Sequence, residues 1–246
     1  MNRSIKRVAI LGSGIMGSRI ACHFANIGVQ VLLLDIAPKE LNAAEQAKGL
    51  SLEHPSVKNR IVNTAFQQTI QAKPASLYSS GFAKNIQLGN FDDNLSEIAQ
   101  ADWIMEVVVE NLAIKKSLYD RVEQFRKPGT LITSNTSGIP IHLMAEGRSE
   151  DFQKHFCGTH FFNPPRYLRL LEIIPTAKTD PKIIEFLLQY GETQLGKTTV
   201  LCKDTPAFIA NRIGVYSKIQ TKKVVEELGH TLEQVDKLTS KVVARP

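Results

Sequence analysis

"RVAILGSGIMGSRI", residues 7–20, sets a short apolar run against three glycines and then a helical rhythm of apolar residues. Val8–Leu11 reads as a buried strand, and Met16, Ile20, Phe24 and Ile27 recur at helical spacing until Gly28, a helix stop. Between them Gly12-Ser13-Gly14-Ile15-Met16-Gly17 fits G-x-G-x-x-G. Alone that pattern is weak. Here it leaves a strand, opens a helix, and is followed 18 residues after Gly17 by Asp35, which closes the next apolar run, Val29–Leu34. That context makes it a dinucleotide fingerprint. Gly12, Gly14, Ile15, Met16 and Gly17 are expected to let a pyrophosphate approach the backbone N–H groups at the helix N-terminus. Asp35 is expected to accept hydrogen bonds from the adenosine ribose, and its charge opposes a 2′-phosphate, so NAD is expected over NADP.

Working outward, the relay of short strands and helices continues. Pro38 fits the first turn of a helix, and residues 39–85 read as a polar excursion with helical stretches at Leu41–Gly49 and Asn59–Ile70. Strands are expected at Ile86–Leu88, Trp103–Val109 and Thr130–Thr133. Between them lie a short helix capped by Asp92 or Asp93 and a longer one marked by Ile114, Leu118, Val122 and Phe125. A helix from Asp180-Pro181 and a last strand, Thr198–Cys202, follow. Alternation of this kind predicts an α/β fold, a Rossmann-type doubly wound and mainly parallel sheet with a helical arm. After Pro206 only helical spacing remains, with Thr231 and Gln234 as a capping-box pair. The expected division is a Rossmann domain over 1–203 and the opening helices of an all-helical second domain over 204–246, truncated at Lys241–Pro246.

Composition sets the bounds. Of 246 residues, 43% are hydrophobic and 22% charged, which is ordinary for a soluble globular chain. The net charge of +6 suits an acidic or phosphorylated ligand. No Lys/Arg run exceeds two residues, so no nucleic-acid partner is expected. Cys22, Cys157 and Cys202 lie far apart and lack metal spacing, which points to reduced thiols, a cytoplasmic setting and no metal site. No apolar stretch is long enough for a membrane span. Gly191–Thr198 fits the P-loop pattern letter for letter but leaves a helix and enters a strand, the reverse of a working P-loop, so it is read as helix punctuation.

A second stretch carries chemistry. In "GTHFFNPPRYLRLLEIIP", residues 158–175, two apolar runs flank Pro164-Pro165-Arg166-Tyr167. If the segment folds back on itself about Arg166, His160 and Glu172 stand opposite each other on one side of a sheet. A carboxylate on one imidazole nitrogen fixes the tautomer and leaves the other nitrogen free as a base, the arrangement needed to take a hydroxyl proton as hydride leaves the same carbon. The competing reading is a core histidine satisfied by a strand acid.

"VVVENLAIKK", "SNTSG", "HFFNPP" and "KDTPAFIANRIG", in that order, resemble the L-3-hydroxyacyl-CoA dehydrogenase family over about residues 5–235, closest to the dehydrogenase part of multifunctional fatty-acid β-oxidation proteins. The resemblance implies an oxidoreductase converting an L-3-hydroxyacyl-CoA to the 3-ketoacyl-CoA with NAD⁺, an acyl-CoA substrate and a homodimer of the full-length protein. It makes His160 the general base and Glu172 its partner, with Ser137 and Asn211 at the substrate's 3-oxygen. Glu110 and Lys115 match NAD contacts, and Asn163 an asparagine on the substrate side of the cofactor site. The arm at 39–85 corresponds to a helical segment over the CoA moiety, where Lys58 and Arg60 read as a solvated face more readily than as phosphate contacts. Two other readings stand beside this one: a different β-hydroxyacid dehydrogenase, and a non-catalytic NAD-binding fragment. The His160–Glu172 pair discriminates, because a mere binder has no use for it.

Overall fold

In the computed structural model, described for residues 3–239, β1 (Arg7–Leu11) is an interior strand, third from one edge, of an eight-stranded sheet. Its side chains are buried on both faces. Val8 and Ile10 enter one apolar cluster, Ala9 and Leu11 another, as expected of a parallel strand covered by helices on both sides. The elements follow as α1 (Ile15–Asn26), β2 (Gln30–Asp35), α2 (Ala43–Ala47), α3 (Pro55–Lys58), α4 (Arg60–Gln71), β3 (Ile86–Asn90), β4 (Trp103–Glu106), α5 (Leu112–Phe125) and β5 (Leu131–Ser134). Then come α6 (Ile141–Ala145), α7 (Glu150–Lys154), β6 (Phe156–Phe161), β7 (Leu170–Pro175), α8 (Pro181–Thr193), β8 (Thr198–Leu201), α9 (Ala210–Leu228) and α10 (Leu232–Thr239).

The strand order is β3-β2-β1-β4-β5-β6-β7-β8. The first six strands are parallel; β7 runs antiparallel to β6, and β8 parallel to β7. The order reverses between β1 and β4, which opens a crevice beyond their C-terminal ends where α/β sheets of this class take ligands. The expected Rossmann-type sheet is therefore present. The turn at Arg166 also sets the register anticipated from spacing: His160 pairs with Glu172.

Several local expectations differ. Pro38 starts no helix; Asn42 caps α2 instead, its side chain and that of Glu45 each taking the other's backbone N–H. Neither Asp92 nor Asp93 caps the 3₁₀ turn at Leu95–Gln100, because Asn94 occupies that place. The strand expected to reach Val109 ends at Glu106, whose carboxylate takes the N–H of Val108 at 2.7 Å and bends the chain away. Lys58 and Arg60 are not a solvated face. Lys58 pairs with Asp93 at 2.5 Å, and Arg60 donates to the Glu40 carbonyl at 2.7 Å with Glu45 at 3.3 Å. The first contact ties the arm to the sheet, the others brace it internally. The closing residues Lys241–Pro246 lie outside the described residues.

α9 is unlike the earlier long helices. It buries none of its residues, and Ile213, Tyr216, Val224 and Leu228 are exposed along it.

Candidate active site

The glycine turn is dictated by crowding. Gly12 has φ +112°, and a Cβ there would lie 2.5 Å from the Val107 carbonyl. A Cβ on Gly17 would lie 1.8 Å from the Gly12 carbonyl, so the chain could not fold tightly back at that point. Gly14 faces open space and caps α1 without any side-chain hydrogen bond, leaving the first N–H groups of the helix free for an anion.

A cavity of about 670 Å³ opens beside this turn, walled by Gly12, Gly14, Ile15, Met16 and Asp35. Asp35 accepts the Ser13 backbone N–H at 2.6 Å and the Ser13 hydroxyl at 2.5 Å through one oxygen, and the Ile36 N–H at 2.7 Å through the other. A carboxylate has about four acceptor positions, so it keeps capacity for a ribose hydroxyl. A dinucleotide fits this chemistry: free helix amides for the pyrophosphate, an acid for the ribose, and apolar walls for a base. Those walls, Phe91, Val107, Val108, Ile114 and Leu118 with Arg121, were not anticipated from sequence. Their only signal was a place just past the ends of β3 and β4 and on α5, where a switch-point crevice must have its sides.

Glu110 and Lys115 serve the loop that carries Ser137. Glu110 accepts the Thr136 hydroxyl and the backbone N–H groups of Ser137 at 3.0 Å and Gly138 at 3.1 Å. Burial would raise its proton affinity. The Thr136 bond, the charge of Lys115 and the Ser137 amide outweigh this and hold the carboxyl below its usual range. Lys115 is 1% exposed, its ammonium 2.7 Å from Glu106 and 3.3 Å from Glu110. Glu106, fully buried, also accepts from Ser134 at 2.6 Å and Tyr119 at 3.2 Å. A buried ion pair thus runs from the sheet to the Ser137 loop, and the sequence offered no sign that Lys115 was interior.

His160 and Glu172 meet as the register requires, Nδ1 to Oε2 at 2.7 Å, both buried. Glu172 also accepts the backbone N–H groups of Ile209 at 3.1 Å and Ala210 at 2.8 Å. Burial alone would raise its proton affinity. The His160 bond and the two amides prevail, so the carboxyl stays below its usual range and ionised at neutral pH. An ionised carboxylate only accepts, so Nδ1 carries the proton, and in the neutral tautomer that this fixes, the lone pair lies on Nε2. The rings of Phe162 and Phe208, with centroids 4.5 and 5.7 Å away, flank the imidazole. Asn163, two residues past β6, has its Oδ1 on Arg19 of α1 at 2.5 Å, which joins the glycine-turn helix to the strand of His160. Asn211 is half-buried in the first turn of α9, directly after the amides that hold Glu172, and Ser137 is exposed.

Residues 7–205 match the family described as the NAD binding domain of 3-hydroxyacyl-CoA dehydrogenase. The chain belongs to this family. Its cofactor is NAD. A probable 3-hydroxyacyl-CoA dehydrogenase of Bacillus subtilis is 49% identical over 246 residues, covering all of this chain and 31% of the relative. A putative fatty acid oxidation complex trifunctional enzyme of Rickettsia felis is 38% identical over 88% of this chain and 28% of its own length. This member of the family thus spans about a third of the length of those relatives. A crystal structure of (S)-3-hydroxybutyryl-CoA dehydrogenase from Ralstonia eutropha superposes with TM-score 0.74 at 25% identity, covering 99% of this chain and 79% of that one.

Among the described residues no cluster of His, Cys, Asp or Glu has the makings of a metal site, and no helix is long and apolar enough to cross a membrane. All three cysteines are free and buried. Burial pushes the Cys22 and Cys202 thiols up to about 12, where a thiolate nucleophile is not formed near neutrality.

Proposed function

We propose that this chain is the NAD-binding and base-carrying part of a dehydrogenase that oxidises an L-3-hydroxyacyl-CoA to the 3-ketoacyl-CoA in fatty-acid β-oxidation. The observation that carries the reading is the His160–Glu172 pair, with Nδ1 protonated against an ionised carboxylate and Nε2 left as the basic nitrogen. His160 takes the proton of the substrate's 3-hydroxyl on Nε2 as the carbonyl forms. Glu172 holds the ring in the one tautomer that can do so, and its charge stabilises the imidazolium. NAD⁺ supplies the acceptor for the hydride that leaves the same carbon. Ser137 and Asn211 donate hydrogen bonds to the 3-oxygen, where negative charge builds up in the reverse direction. Arg19 can only donate, so it engages the Asn163 carbonyl and leaves the carboxamide N–H groups for the substrate side.

Glu110 and Lys115 act on this scheme by holding the Ser137 loop at the cofactor's edge. The name of the Rickettsia relative supports the fatty-acid oxidation setting. Residues 204–246 are read as the start of a separate helical domain, supported by the absence of any buried residue in α9; a homodimer through that domain is part of the same proposal.

The test is a pair of measurements on one variant. His160→Gln should lower NADH production from 3-hydroxybutyryl-CoA or a longer homologue by roughly 10²–10⁴-fold, the usual contribution of a general base. NADH affinity, followed by fluorescence, should stay nearly constant. Equal loss of both would make His160 a structural histidine.

A further inference from the structure

Glu172 is fully buried, and its ion-pair contact among the described residues is with the imidazole it serves. A buried carboxylate needs its lone pairs filled, or it drifts or takes up a proton. Oε2 is filled by His160. Oε1 takes two main-chain donors, the amides of Ile209 and Ala210, and the Cys202 thiol is a further neighbour of the carboxylate. Those amides belong to the start of α9, where N–H groups have no acceptor inside the helix. What aims them is an unusual piece of backbone. Ala207 at φ +63° and Phe208 at φ +47° are the non-glycine residues with left-handed backbone among the described residues, and they are adjacent. Such a conformation is strained for a residue with a side chain, and this kind of strain persists where the surroundings over-determine it.

Here they do. The Phe208 N–H donates to the Thr205 carbonyl at 3.1 Å, and Arg212 N–H to the Ala207 carbonyl at 3.1 Å. The Phe208 ring, 2% exposed, packs in the cluster of Ile141 and Ile174 and lies against His160. One turn therefore delivers two amides to the carboxylate and a ring to the imidazole.

We propose that the left-handed turn Ala207–Phe208 is a positioning element for the catalytic pair: it fixes the plane of Glu172 through the Ile209 and Ala210 amides, and thereby the ring of His160. This rests on the reading of His160 as the base. It makes the competence of the Rossmann portion depend on where α9 is seated.

Ala207 offers a clean handle. Glycine accepts φ +63° without strain, whereas β-branched valine is a poor occupant of that region. In the chain labelled at histidine, Ala207→Gly should preserve the downfield proton resonance of His160 Nδ1 held by Glu172, and Ala207→Val should shift or broaden it. Ala207→Val should lower kcat by roughly 10- to 100-fold, the cost of small misplacements at a reacting centre, while NADH affinity changes less than about twofold. On a Glu172→Gln background the same valine should cost little more, because the path through the carboxylate is already cut. If Ala207→Val does not fold, Phe208→Leu should likewise shift the resonance and lower kcat. An unchanged resonance and kcat in folded Ala207→Val, or an equal loss on the Glu172→Gln background, overturns the proposal. A wild-type chain that neither binds NADH nor turns over any 3-hydroxyacyl-CoA would sink the dehydrogenase reading instead, and the resonance would then judge the turn alone.

Discussion

His23 provides a quantitative test of how this fold is held together. It lies on α1, 3% exposed, with Nε2 3.1 Å from the Leu195 carbonyl and Nδ1 without a partner. Burial, and secondarily the charge of Lys197, push its pKa from 6.5 down to about 4, against a smaller opposing effect of the Leu195 bond. Between those values the unfolded chain takes up a proton that the native chain refuses. The stability associated with neutral His23 is thus complete above about 6.5 and is lost as pH falls toward 4. At ~1.4 kcal/mol per pH unit the whole window is worth about 3 kcal/mol, a large share of the roughly 5–15 kcal/mol that domains possess. Urea unfolding of the wild-type chain and His23→Gln should be compared at steps from pH 7 to 4. Glutamine can still donate to the Leu195 carbonyl but does not titrate. Carboxylates titrate in both proteins and cancel, so the wild type should lose about 3 kcal/mol more than the variant across the window. Parallel curves would mean that His23 is protonated inside the native structure, and the burial argument would be wrong.

Further outcomes follow from the glycine turn and the buried ion pair. Gly17→Ala should destabilise the fold by about 1–3 kcal/mol through overpacking against the Gly12 carbonyl. Gly14→Ala, which meets no protein atom within 4 Å, should melt normally yet bind NADH more weakly; thermal melts and NADH titrations of both separate folding from cofactor approach. Lys115→Met should cost about 3–5 kcal/mol because Glu106 is left buried without its cation. Glu106→Gln added to it should recover part of that loss in denaturant titrations.

The site was legible in sequence where the interaction is local or periodic. The fingerprint is read along one strand, one turn and one helix, and Asp35 is fixed by the length of a βαβ unit. The register of His160 on Glu172 follows because an antiparallel turn pairs residues symmetrically about its centre. Legibility failed where partners come from distant segments. Nothing in "VVVENLAIKK" says that Lys115 will face Glu106 from inside the domain, since an i, i+4 rule reaches only its own helix and both carboxylates precede that helix. Lys58 looked solvated because Asp93 is 35 residues away.

Taken by itself, then, the amino-acid order determined the alternation of strands and helices, the cofactor class and the pairing of His160 with Glu172, because each depends on spacing along the chain. The tertiary structure alone decided what those groups experience: the burial of Lys115, the cavity walls at Phe91 and Arg121, and the two amides on Glu172. The physical reason is that desolvation and hydrogen-bond satisfaction are properties of a filled volume, and a filled volume exists only once segments far apart in sequence have packed around it.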